Sequence, residues 1–330
     1  MEKRPLSRTE RKVSVVGLGT WQFGDGWNEV AERDVRAILD TAVTSGVDFI
    51  DTADVYGDGR SERLIGRFLR EFRTSPGERP TVATKIGRRG PQELGAFTLG
   101  NFREWIDRSR ANLGVDTLDL VQLHTPPDAV FASDAVYDAL DVLVDEGRIA
   151  AYGVSVETCD QAMSALARPN VASVQIILNV FRRKPLERVL PAARAAGVGV
   201  IARVPLASGL LSAKFRRDTV FAATDHRAYN RHGEQFDVGE TFSGVDYETG
   251  LEAAAEFAGL VPDGLTAAQL ALRWVTQQDG VTTVIPGATS LAQARANAAV
   301  GSMAPLPEET LDRLRELYDR RIRAQVHHLW

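Results

Sequence analysis

Residues 35–57 read VRAILDTAVTSGVDFIDTADVYG, and this stretch decides the fold. Val35, Ile38, Leu39, Ala42 and Val43 recur at the spacing of one helix face, and Gly46 follows as a helix terminator. Phe49-Ile50 is then a short apolar run of strand type, and polar residues begin at Asp51. A helix that stops at a glycine and hands over to a short apolar strand is part of a repeating strand-helix architecture.

The same rhythm runs outward in both directions. Strand-like runs are Val13–Leu18, Phe49–Ile50, Thr81–Thr84, Leu118–Leu123, Ala151–Val154, Val174–Ile177, Val198–Ala202 and Thr282–Ile285. Helical stripes stand between them at Leu64, Ile65, Phe68 and Leu69, and at Val136, Leu140, Leu143 and Val144 before Gly147. Two more run through Leu186, Val189, Leu190 and Ala193 before Gly197, and through Leu270, Ala271, Trp274 and Val275. Strand-helix units without a Pro/Gly/Ser-rich linker point to an α/β fold, one (β/α)8 TIM barrel of eight parallel strands with residues 1–330 as a single domain, the alternative being an open sheet plus a helical domain. Phe215–Tyr247, after the seventh strand, mixes aromatics, charges and glycines, and a loop of that length reads as a functional lid or a disordered segment.

Composition narrows the partners. The 330 residues are 44% hydrophobic and 25% charged, with net charge −5 and no long run of one sign, so no footprint for nucleic acid or an anionic membrane is visible. Cys159 stands alone, which excludes an intrachain disulfide. Residues 1–12 are polar and no apolar run approaches a membrane span, so a cytoplasmic protein acting on small molecules is expected. Gly17-Leu-Gly19 has Gln22 where a dinucleotide fingerprint needs glycine, and Gly57-Asp-Gly59 lacks the lysine of a phosphate loop. Cys159 and His327-His328 lack metal-ligand spacing, so no metal is expected.

In a barrel the reactive groups gather at the carboxyl ends of the strands. The residues there are Gly19-Thr20-Trp21, Asp51, Lys85, His124, Ser155, Gln175, Arg203 and Pro286-Gly287. Singly, Asp51 reads as a turn cap, Tyr56 as a packing residue, Lys85 as a surface charge and His124 as a loop histidine. Asp, Lys and His at three successive strand ends read as a site.

Gly46-Val-Asp-Phe-Ile-Asp51-Thr-Ala-Asp-Val-Tyr56-Gly57, followed by Ser61-Glu62, resembles the signature of the aldo-keto reductases. Val82-Ala-Thr-Lys85, Leu118 to His124, Gly153-Val-Ser155, Val174-Gln175, Pro205 to Leu211 and Ile285-Pro-Gly287 continue the resemblance from about Val13 to Val300. It implies a (β/α)8 fold, a nicotinamide cofactor and reversible carbonyl reduction. Chemically, Tyr56 suits the proton donor, and a nearby Lys85 ammonium is expected to lower its pKa. Asp51 would hold Lys85, and a neutral His124 would donate to the developing alkoxide. The resemblance also admits a second reading, a non-catalytic nicotinamide-binding regulatory subunit of a channel.

By the same resemblance, Ser155 and Gln175 hold the nicotinamide carboxamide, beside Gly19, Thr20, Trp21 and Asp51. Pro205, Leu206, Ser208, Gly209, Leu211 and Lys214 wrap the pyrophosphate, and Gly287, Thr289, Gln293 and Asn297 the adenosine end. Three departures stand out. Val156 follows Ser155 where the family commonly has Asn, and Arg203 takes the place of a stacking aromatic. A cation there is expected to favour the reduced cofactor. The loop Gly287-Ala-Thr-Ser290 lacks the usual cation for a 2′-phosphate, with Arg227 or Arg295 as substitutes. NADPH is expected, with NADH as the alternative. Trp21, Trp27, Tyr56, residues 215–247 and Trp330 are expected to line the carbonyl pocket.

Overall fold

The structure, a computed structural model, describes residues 1–6, 9, 11–24, 30–71 and 79–330; Trp27 lies outside the described residues. Two short strands, β1 (Lys3–Pro5) and β2 (Lys12–Ser14), form an antiparallel hairpin. Eight parallel strands follow: β3 (Leu18–Gly19), β4 (Phe49–Asp51), β5 (Thr81–Ile86), β6 (Leu120–His124), β7 (Tyr152–Ser155), β8 (Val171–Ile177), β9 (Gly199–Arg203) and β10 (Thr283–Val284). Parallel bridges Val16–Val284 and Gly19–Gly287 join the first strand region to the last, so the sheet closes on itself. The Gly17 amide donates to the Val284 carbonyl at 2.8 Å across that seam.

Two cores result. Leu6, Val13, Phe49, Ala83, Leu120, Ala172, Ile201 and Ile285 fill the barrel, while a larger shell packs the helices against its outside. Leu6 and Val13 explain a correction to the expected first strand. The run from Val13 to Leu18 divides because Lys12–Ser14 turns back to pair with Lys3–Pro5, and the hairpin carries Leu6 and Val13 into the barrel interior.

Most residues of the anticipated helical stripes are buried, with Val43, Leu69, Val144 and Leu186 partly buried against the same core. In Glu32–Thr44, Val35, Ile38, Leu39 and Ala42 face inward, and Gly46 (φ +93°) ends the turn that follows. Leu186, by contrast, sits in a separate 3₁₀ turn, Lys184–Leu186, ahead of the helix Val189–Ala196. Helices Leu99–Leu113 and Cys159–Leu166 complete the crossovers that the stripes did not mark. The second has a capping box between Thr158 and Gln161, a local start signal that pattern alone overlooked.

Successive strand side chains alternate sides, so residues two apart share a face. That alternation carries Phe49 and Asp51 inward on β4, Ala83 and Lys85 on β5, and Leu120, Gln122 and His124 on β6. The lower residues build the interior core and the upper ones reach the open end. Residues 215–247 cross over that end in short turns, His226–Tyr229, Val238–Glu240 and Phe242–Gly244.

Candidate active site

Asp51, at the end of β4, is 2% exposed, and Lys85, on β5, is 1% exposed. Lys85 Nζ donates to Asp51 Oδ2 at 2.5 Å, to the Thr52 carbonyl at 3.0 Å and to Tyr56 Oη at 3.3 Å. Gln175 Nε2 and Gln122 Nε2 donate to Asp51 Oδ1 at 2.8 and 3.2 Å, fixing the carboxylate from its other side. Neither isolated reading survives: Lys85 is no surface charge, and Asp51 engages three side chains across the barrel. Gln122 lies within the Leu118–His124 segment of the resemblance but was not expected as a site residue; its inward parity with His124 could have identified it.

Burial is the largest single influence on the Lys85 ammonium and opposes it, but Asp51 and Tyr56 together overcome it and leave the pKa above its ordinary value. Burial also pushes the Tyr56 phenol up, more than Lys85 pulls it down. This corrects the expectation of a lowered phenol: desolvation of a phenolate outweighs one ammonium at 3.3 Å. His124 stands edge-on to Tyr56, with ring centroids 6.0 Å apart. Burial, Arg88, Lys85 and Arg203 together hold its pKa well below the ordinary value, so the imidazole is neutral.

These groups open into a cavity of about 640 Å³. Its aromatic wall is Trp21, stacked at 6.3 Å on Tyr56 and close to His226 and Phe236. Sixteen of the expected cofactor residues line the cavity: Gly19, Thr20, Trp21, Asp51, Ser155, Gln175, Arg203, Pro205, Leu206, Ser208, Gly209, Lys214, Arg227, Gly287, Thr289 and Gln293. Leu211 does not; it is fully buried in the apolar shell. Asn297 also stays out of the lining, donating from Nδ2 to the Gly287 carbonyl at 3.1 Å and so bracing that loop. Thr289 donates from its amide to Gln293 Oε1 at 2.7 Å. Arg227 lies by Gly209 and Phe215, at the Pro205–Leu211 loop, while Arg295 is exposed and outside the lining.

Arg203 is not the bare cation that its sequence position suggested. Its Nη2 donates to Glu157 Oε2 at 2.8 Å and to the Val156 carbonyl at 3.0 Å, and its Nη1 pairs with Glu240 Oε1 at 2.6 Å. The expectation drawn from Arg203 alone therefore changes, because two carboxylates offset its charge. Burial raises Glu157 to about 7, while Arg203 and Arg88 overcome burial and lower Glu240. Glu157 lies two residues beyond the β7 end, within range of a strand-end reading. Glu240 comes from the long loop, where no local pattern distinguishes it.

Trp330 does not line the cavity. It packs behind the loop, 3.7 Å from the Arg182 guanidinium by ring centroid, and donates to Asp237 Oδ1 at 3.1 Å. A Cβ on Gly244 (φ +75°) would come within 2.3 Å of its ring, so glycine is required there for both space and backbone conformation. Among the described residues no helix is long and apolar enough to cross a membrane.

Comparison with known proteins agrees with this architecture. The family model described as "Aldo/keto reductase family" matches residues 15–319. The glycerol dehydrogenase AKR11B4 from Gluconobacter oxydans superposes with a TM-score of 0.76 at 30% identity, over 95% of this chain and 94% of that one. An aldo-keto reductase from Klebsiella pneumoniae in complex with NADPH gives 0.70 at 25% identity over 96% of each chain. A probable voltage-gated potassium channel subunit beta of Arabidopsis thaliana is 28% identical over 93% of both chains. With a closed eight-stranded barrel and a family match along nearly its whole length, this chain belongs to the aldo/keto reductase family.

Proposed function

We propose that the protein is an NADPH-dependent oxidoreductase that reduces aldehydes or ketones to alcohols, with Tyr56 as general acid assisted by Lys85, Asp51 and His124. One observation carries this reading: a buried ammonium lies between a carboxylate at 2.5 Å and a phenol at 3.3 Å, beside the cavity. NADPH is favoured over NADH by likeness to the NADPH-bound reductase from Klebsiella pneumoniae.

The cavity fits the cofactor's chemistry. A volume of about 640 Å³ is in the range of small-molecule sites. Ser155 and Gln175 share the lining with Tyr56 and offer polar groups, and Lys214 supplies positive charge for phosphates, while Arg227 adds N–H donors with its charge offset by Asp225. NADPH supplies a hydride when bound. The protein's own groups handle the proton.

Burial keeps the Tyr56 phenol protonated, so it can donate to the oxygen of a carbonyl held within hydrogen-bond reach. Lys85 lowers the cost of the phenolate left behind, and Asp51 keeps Lys85 charged and aimed. His124, neutral, is suited to donate to the developing alkoxide without adding a second buried cation.

The test is oxidation of NADPH and of NADH with a panel of aromatic and aliphatic aldehydes, wild type beside Tyr56→Phe. Turnover that collapses in the variant while cofactor binding persists supports the reading. Cofactor binding without turnover across the panel instead supports a regulatory subunit, the reading suggested by likeness to the channel subunit.

A further inference from the structure

The cations around the cavity are not equally matched. Lys85 has Asp51 at 2.5 Å, Arg203 has Glu157 and Glu240 at 2.8 and 2.6 Å, and Arg227 has Asp225 at 2.5 Å. Arg88 is different. It stands just past β5, lines the same cavity as Tyr56 and His124, and keeps 27% of its side chain exposed.

Its hydrogen bonds go to a neutral group. Nε donates to Thr125 Oγ1 at 2.9 Å, and Nη2 donates to the same hydroxyl. Thr125 is a β-branched residue at φ +48°, a conformation that such residues rarely adopt. Glu157 Oε1 and Glu240 Oε1 lie 3.7 and 4.0 Å from Arg88 Nη2, beyond hydrogen-bond reach, and both residues are hydrogen-bonded or paired closely to Arg203. Arg88 Nη1 makes no hydrogen bond among the described residues. The result is a guanidinium fixed at one edge, open at the other and close enough to His124 to depress its pKa.

We propose that Arg88 binds an anionic group on the carbonyl substrate, a carboxylate or a phosphate a few atoms from the carbonyl carbon. The proposal rests on the reductase reading above and names its substrate class. A planar guanidinium with free N–H groups matches either anion. An uncharged alkyl chain against Arg88 would displace water and return no charge-assisted bond, so the site should discriminate against it.

Two matched substrate pairs test this with NADPH: 4-oxobutanoate against butanal, and glyceraldehyde 3-phosphate against glyceraldehyde. Wild type is compared with Arg88→Gln and Arg88→Lys. In wild type, kcat/KM should favour the anionic member of at least one pair by about ten- to a hundredfold, and the pair that responds identifies carboxylate or phosphate. Arg88→Gln should bring that ratio close to one, chiefly through KM, and Arg88→Lys should restore part of it. A wild-type ratio near one in both pairs, or a ratio that Arg88→Gln leaves intact, overturns the proposal.

If no aldehyde of either charge is reduced, the reductase reading fails separately. The anion site is then measured by calorimetry with succinate and with inorganic phosphate, NADPH present. Saturable binding that Arg88→Gln abolishes upholds the site; no binding, or binding that the variant retains, overturns it.

Discussion

Asp51→Asn should expose how strongly the site depends on one buried charge. Asparagine keeps nearly the shape of the carboxylate and can still accept from Gln122 and Gln175, so the principal loss is charge beside Lys85 Nζ at 2.5 Å. The Lys85 and Asp51 side chains are 2% and 3% exposed, leaving little room for water to replace the lost partner. Breaking a buried pair from one side costs about 3–5 kcal/mol, much of it from the charge left behind. We expect that loss in denaturant unfolding at pH 7. With Asp51 gone, only Tyr56 still opposes burial, the largest influence on Lys85, and the folded pKa should fall below the ordinary 10.5. The unfolded chain then binds the extra proton, so the variant should regain stability as pH rises toward 10. Asp51→Asn/Lys85→Met removes both charges and should cost less than the two single changes summed, by about 1–3 kcal/mol. A loss below about 1 kcal/mol in the single variant, or strict additivity in the double, would refute the claim that this pair is coupled and desolvated.

Other expectations concern the charged wall and the loop behind it. At pH 8, where Glu157 is largely ionised, Glu240→Gln should weaken NADP+ relative to NADPH by roughly three- to tenfold, the size expected for one charge acting through an intermediate dielectric. Fluorescence titration of the two cofactor forms checks this, and an unchanged ratio of dissociation constants counts against charge compensation at Arg203. Glu157, pushed up to about 7 by burial, is protonated below that pH and offsets less of the Arg203 charge. The same ratio in wild type should therefore shift toward the reduced cofactor from pH 8 to pH 6, and Glu157→Gln should flatten the shift. Trp330→Ala should destabilise by about 3 kcal/mol or more in thermal or denaturant unfolding, since it removes a buried ring from Arg182 and Gly244. A loss below about 1 kcal/mol would mean that the ring contributes little to anchoring the loop.

Local sequence made much of the barrel legible because strand and helix periodicities arise from side-chain direction alone. The apolar run at Phe49-Ile50, just after the helix-ending Gly46, fits a buried strand, and alternation then sent Asp51 inward once β4 was placed. Asp51, Lys85 and His124 were readable as strand-end residues, and Tyr56 through the motif that contains Asp51. Where a run could serve two partners, pattern failed: Val13–Leu18 looked continuous, yet its first residues belong to the hairpin that fills the barrel base.

What the chain determined by itself was therefore the order of elements and the identity of the groups at the strand ends, properties carried by neighbours a few residues apart. Tertiary structure decided which charges meet. Glu157, Arg203 and Glu240 come from three separate places, and only their convergence turns Arg203 into a compensated cation and leaves Arg88 with an open edge. It also decided the sign of the Tyr56 shift, because desolvation depends on everything packed around the phenol, whereas the helpful lysine was visible in the sequence. Short-range periodicity cannot encode such sums, since burial and Coulomb energy depend on distances set by the whole closed barrel.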